Sequence, residues 1–173
     1  GRAISFNTSG TAVADVTIDG VTVIAGYTRP IIHIGSGATV TSMKVSNVYV
    51  SIGAGSYLIS QSGTTGHIQM QNVTVTGGGS LGYLDGVCPL LTVNGLHATG
   101  AANGFGNFGS ADMEVSVSNV TGLPTTNYLA DNYAANATAT LKGQNIAGAA
   151  NNHIHKTGAG TPKTRAIGLS VRC

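Results

Sequence analysis

One phrase returns along this chain about every two dozen residues: apolar-x-apolar, a polar residue followed by Asn or Gly, then apolar-x-apolar again. It reads Val16-Thr17-Ile18-Asp19-Gly20-Val21-Thr22-Val23, and recurs from Met43 to Val50, from Ile68 to Val75 and from Leu91 to Ala98. Weaker copies run from Val115 to Gly122 and from Ala139 to Ile146, the last with Gln144 where an apolar residue belongs. The Asn/Gly position falls at 20, 47, 72, 95, 119 and 143, so the spacings are 27, 25, 23, 24 and 24.

Alternation turns residues 16 and 18 inward from one short strand and residues 21 and 23 inward from the next, with a sharp bend between them. Asn and Gly accept the left-handed backbone conformation at least steric cost, which places the bend on them. Each repeat is therefore two strands meeting at a corner, plus a variable remainder that supplies a third side and a loop. One such turn cannot bury its inner face, whereas stacked turns share a continuous core and give every strand a neighbour. The expected fold is all-β, a right-handed parallel β-helix of about six or seven coils, roughly 29 Å long for six coils at ~4.8 Å each. Asn47, Asn72 and Asn119 should stack as a partial amide ladder, interrupted at Gly20, Gly95 and Gly143.

Composition agrees with a solenoid. Charged residues make up 8% of the chain, too few for the ionic surface of a helical bundle, and Ser, Thr, Asn, Gln and Gly replace them. A hydrophobic share of 42% and a formal net charge of +2 argue against disorder and against a nucleic-acid surface. No signal-peptide pattern opens the chain and no apolar run approaches the ~20 residues of a membrane span. A first residue other than Met, followed at once by the strand-like Ala3-Ile4-Ser5-Phe6, is expected of a mature product or a piece of something longer. Cys88 and Cys173 make neither a redox pair nor a zinc site and read as thiols, with an intermolecular bridge open to the terminal Cys173. Residues 1–150 are expected to form the β-helix. Residues 151–173, which carry Pro162 and the basic residues Lys156, Lys163, Arg165 and Arg172, leave the repeat and are expected to form a C-terminal cap or oligomerisation segment.

The corner-and-ladder pattern over residues 12–148 resembles the pectate-lyase-like right-handed β-helix superfamily, and the Gly/Ser/Thr/Asn-rich, charge-poor rod is most like a segment of a bacteriophage tailspike or tail fibre. That scaffold carries lyases, hydrolases, adhesins and virion spikes, so the resemblance bears on fold more than on activity. It implies a homotrimer in a virion tail or another extracellular setting, joined to other virion or surface proteins and contacting a bacterial surface glycan.

The acidic residues are Asp15, Asp19, Asp85, Asp112, Glu114 and Asp131. A glycosidase on this scaffold needs two carboxylates facing one groove, whereas a lyase would want a Lys or Arg base beside acidic calcium ligands, a cluster the sequence does not offer. Asp112 and Glu114, two apart on one strand face, are the close pair, with Asp85 in Gly82-Tyr83-Leu84-Asp85-Gly86 as a third candidate; the simpler readings are surface charges and a turn residue. Rings that could stack on sugars are Tyr27, Tyr57, Tyr83, Phe105, Phe108, Tyr128 and Tyr133, of which Tyr83, Phe105 and Phe108 are favoured, the last two in Gly104-Phe105-Gly106-Asn107-Phe108-Gly109, with Asn107 to bond hydroxyls. The alternative is that both Phe rings close over a core layer. In His153-Ile154-His155, alternation aims both imidazoles the same way, and a three-fold axis would gather six nitrogens suited to iron or zinc; the His-x-His resembles the metal-binding motif of contractile-phage spike tips. A plain polar strand with no cofactor is the competing reading. The outward residues Thr17, Lys44, Gln69, Thr92 and Ser116 are too irregular for a Thr array that matches ice.

The favoured function is a structural and receptor-binding spike or fibre component; the alternatives are the catalytic body of a polysaccharide depolymerase and a bacterial surface adhesin.

Overall fold

A computed structural model describes residues 3–7, 10, 12–100, 104–107, 112–122, 128–132, 138–147, 152–156, 163–167 and 171–172. The strands are β1 (Ile4–Phe6), β2 (Ala12–Asp19), β3 (Thr22–Tyr27), β4 (Ile32–Ile34), β5 (Thr39–Ile52), β6 (Tyr57–Gln61), β7 (Thr64–Thr76) and β8 (Ser80–Leu84). They continue as β9 (Leu90–Thr99), β10 (Phe105–Asn107), β11 (Met113–Thr121), β12 (Tyr128–Asn132), β13 (Thr138–Ala147), β14 (Asn152–Lys156), β15 (Lys163–Ile167) and β16 (Val171–Arg172). The described residues contain no helix.

Two parallel sheets hold these strands. A seven-stranded sheet runs β1-β4-β6-β8-β10-β12-β14, and a nine-stranded sheet runs β2-β5-β7-β9-β11-β13-β15 with β3 beside β5 and β16 beside β13. Each neighbour is the strand one coil later, as a solenoid requires. The chain is a right-handed parallel β-helix, and the uninterrupted stretch 12–100 makes about four of its turns. The seven-stranded sheet is the third side that the repeat phrase left as a remainder.

The nine-stranded sheet is bent. β5, β7, β9, β11 and β13 each pass through a left-handed residue, at Asn47 (φ 53°), Asn72 (52°), Gly95 (75°), Asn119 (54°) and Asn145 (53°), and Gly20 (67°) separates β2 from β3. Five of the six corners fall where the phrase puts them. The sixth is corrected from Gly143 to Asn145, because Leu141 pairs with Val115 and Gly143 with Val117. Gln144, which breaks the phrase, then stands in register with Ser118 on the outer face, and Ile146 with Val120 on the inner one.

The corner residues form the expected ladder, and the glycines interrupt it less than expected. Asn47 Nδ2 donates to Asp19 Oδ1 (2.9 Å), and Asn72 Nδ2 to Asn47 Oδ1 (3.3 Å). In the second run, Asn119 Nδ2 donates to Asn94 Oδ1 (2.8 Å) and Asn145 Nδ2 to Asn119 Oδ1 (2.7 Å). At both Gly corners the preceding residue, Asp19 or Asn94, supplies the oxygen. The glycine takes the strained φ and its neighbour takes the hydrogen bond.

Inside, aliphatic side chains stack coil on coil. Met43, Ile68, Leu91 and Val115 form one column; Val45, Met70, Val93 and Val117 a second; Val48, Val73, Leu96, Val120 and Ile146 a third; all are buried. Each contributes about 1.5–3 kcal/mol by leaving water. The seven-stranded sheet adds Ile32, Ile34, Ile59 and Leu84. In the column of Ile59, Gly82 and Phe105, the glycine makes room for the ring: a Cβ on Gly82 would stand 2.7 Å from Phe105 Cδ1. Phe105 is thus 1% exposed, and its candidacy as a sugar-stacking ring is corrected: the ring fills a core layer.

The repeat phrase ends near residue 147, but the winding does not. β14 continues the seven-stranded sheet, and β15 and β16 pair with β13 in the other. The described part of 151–173 is therefore one more parallel layer of the same rod.

Two stability outcomes follow. Asn119→Ala should cost about 2–3 kcal/mol in urea unfolding, from left-handed strain and two lost amide bonds, while Asn119→Gly, which keeps the conformation, should cost about 1. Equal losses would contradict the corner argument. Gly82→Val should destabilise by about 1–3 kcal/mol through overpacking, and pairing it with Phe105→Val should recover most of that loss.

Candidate functional site

On the first arm of the bent sheet, before the left-handed corner, outward side chains form two ridges along the solenoid axis. One runs Thr17, Lys44, Gln69, Thr92, Ser116, Lys142 and the other Asp19, Ser46, Gln71, Asn94, Ser118, Gln144. Members of the two ridges are two residues apart on each strand, so the ridges stand ~6.7 Å apart. Between them lies a trough of about 320 Å³ lined by Gln69, Gln71, Thr92, Asn94, Ser116 and Ser118, with Met70 and Val93 at its floor. The floor is backbone because residues 70 and 93 turn their side chains into the core.

Some of the polar groups here are already bonded. Thr92 Oγ1 is 2.9 Å from His67 Nε2, and Ser118 Oγ donates to Asn94 Oδ1 (3.2 Å). Asn94 also receives Asn119, so its oxygen is occupied while its Nδ2 group remains available. Among the described residues, Gln69, Gln71 and Ser116 carry no side-chain hydrogen bond. Three successive coils therefore present amides and a hydroxyl at the inter-strand spacing.

The residues proposed from sequence are dispersed around the rod. Glu114 faces outward on β11, and Lys142 Nζ lies 2.8 Å from both of its carboxylate oxygens, across to the next coil. Asp112 is exposed and immediately precedes β11, whose Glu114 pairs with Leu90 of the preceding coil, five residues beyond Asp85. Asp85 helps line a smaller groove of about 170 Å³ with Ser62, Thr64 and Val87, to which neither Asp112 nor Glu114 contributes. None of the described grooves is lined by all three carboxylates.

Tyr83 is half-buried on the outer side of the seven-stranded sheet, its ring tilted 51° against Tyr57 at 5.4 Å. Burial, Asp85 and Tyr57 all raise its phenol pKa. Asn107 sits on β10 in register with Leu84 and Asn132. Phe108 lies outside the described residues. His155 is in register with Asp131, and the neighbouring pairs place His153 opposite position 129 on β12. Among the described residues no group of three potential metal ligands gathers.

Comparison with protein families, with curated proteins and with solved structures gives no match to this chain.

The second ridge was missed in the sequence because only one outward position per strand was read. Its signal was present: 19, 46, 71, 94 and 118 each immediately precede the corner and are all polar.

Asp19 opens this ridge and accepts from Ser46 Oγ (2.6 Å) and Asn47 Nδ2 (2.9 Å). These bonds, with a smaller contribution from Lys44, hold its carboxyl below the usual range. A carboxyl depressed in the folded state stabilises above its unfolded pKa of about 3.9, and that contribution is lost as pH falls through the lower folded value. Asp19→Asn should therefore flatten the acid limb of stability against pH, and an unchanged limb would contradict the assignment. Burial pushes the Cys88 thiol up to about 12, so it should resist alkylation at pH 8 until the chain unfolds in denaturant.

Proposed function

We propose that this chain is a structural, polysaccharide-binding solenoid, of the kind from which tailspikes and tail fibres are built, and that it works as a homotrimer on a bacterial surface glycan. The observation that carries this reading is the trough: amides and hydroxyls repeated over three coils on a rigid sheet. Sugar hydroxyls both donate and accept, and Gln, Asn and Ser do the same, so a polar uncharged face suits them. Rigid strands hold these groups at fixed spacing, which lowers the ordering cost of binding.

Binding without cleavage is favoured by the fate of Glu114, whose carboxylate is committed to Lys142 in the folded chain. An exposed pair of this kind is worth at most about 1 kcal/mol, and its meaning here is geometric: the carboxylate is a strut between coils.

The test is incubation of the purified chain with extracted bacterial surface polysaccharide, reading both retention and polymer length. Retention without shortening is expected, and Gln69→Ala with Ser116→Ala should weaken it about five- to thirty-fold, since each lost hydrogen bond is worth about 1 kcal/mol. Polymer shortening that disappears in Asp112→Asn or Glu114→Gln would replace this reading with a depolymerase. Light scattering should return three chain masses; a monomer would remove the trimer from the proposal.

A further inference from the structure

We infer that the trough takes a neutral, linear polysaccharide lying along the solenoid axis, with about one sugar unit over each coil. This rests on the glycan-binding reading above and adds the ligand's direction and charge class.

Direction comes from the ridges. They run across the strands, coil to coil, so an extended ligand seated between them must follow the axis. Gln69 and Gln71 on one coil, Asn94 on the next and Ser116 on the third offer bonding groups spaced by ~4.8 Å, close to the advance of one pyranose in an extended chain. A chain crossing at right angles would meet a single coil and then climb over a ridge.

Charge class comes from what stands in the trough and at its ends. Its lining over the three coils carries no ionisable side chain. Lys44 and Lys142 occupy the same ridge beyond either end, four inter-strand steps or ~19 Å apart. Lys142 is held at 2.8 Å by Glu114, and Lys44 lies within the field of Asp19. A polyanion with a carboxylate on each unit would find its charges over uncharged amides, whereas hydroxyls find a hydrogen-bonding group at every step.

The experiment is affinity electrophoresis of the intact chain through gels containing neutral polymers (a β-glucan, a mannan, a galactan, dextran) or anionic ones (polygalacturonate, hyaluronan), at low salt and at 0.5 M NaCl. Retardation is expected with at least one neutral polymer, unchanged by salt and reduced at least five-fold by Gln69→Ala/Gln71→Ala and by Ser116→Ala. Fragments of the retarding polymer should gain affinity with each added sugar up to three or four and then level off. Salt-labile retardation by polyanions alone, lost in Lys44→Gln, would overturn the neutral class while leaving glycan binding standing. A plateau at one or two sugars, with one coil's variants alone affecting binding, would overturn the axial direction. Retardation by no polymer, or retardation indifferent to all the trough variants, would overturn the trough and the proposed function together. Circular dichroism spectra of the variants matching the parent would confirm that binding losses are local.

Discussion

The left-handed corner residue is the constraint on which this rod depends. It lets the strand entering it and the strand leaving it both turn their alternate side chains inward, so that a coil of about 24 residues closes around a core one side chain deep. Because every coil bends at the same place, each strand meets its counterpart in parallel register, and both the aliphatic columns and the amide ladder follow. At Gly20 and Gly95 the two tasks of the corner are divided between adjacent residues, with glycine adopting the conformation and Asp19 or Asn94 supplying the hydrogen bond.

Stacking in register has a second effect, on the outside. Whatever occupies one outward position is repeated a coil later at the inter-strand spacing, so a solenoid displays rows in place of isolated side chains. Here the rows before the corner are mostly uncharged, and of the charges that occur Lys142 is held across coils by Glu114 and Asp19 by Ser46 and Asn47. A row of unspent amides and a hydroxyl is a surface matched to a polymer that also repeats. This is why the trough, and not the scattered carboxylates, carries the functional reading.

Much of the fold could be read from the chain because a corner is a local event: the φ each one needs restricts it to Asn or Gly, and the flanking alternation marks which residues enter the core. The sixth corner was misplaced because Gly143 and Asn145 both satisfy that local rule, and the choice between them is made by pairing with β11. The seven-stranded sheet was less legible. Its strands are as short as three residues, and one of its inward columns mixes Ile59, Gly82 and Phe105, a sequence of sizes that has meaning only once the coils are stacked. The pairing of β14, β15 and β16 was hidden for the same reason, since these strands keep the register without the phrase. Of the candidate site residues, Glu114 and Asp112 are expected to face outward, and Asp112 is exposed and Glu114 partly so; Tyr83 is half-buried on β8, and Phe105 is drawn inward by the space above Gly82. The trough itself needs two ridges on three coils, which no single stretch of sequence contains.

The most direct test of the account is a nuclear magnetic resonance titration of the isotope-labelled chain with fragments of a retained polysaccharide, following side-chain amide signals. The account predicts that the NH2 groups of Gln69, Gln71 and Asn94 shift together and saturate at one common concentration. Shifts confined to the Tyr57 and Tyr83 rings, with those three amides unmoved, would place the ligand on the other sheet and contradict it.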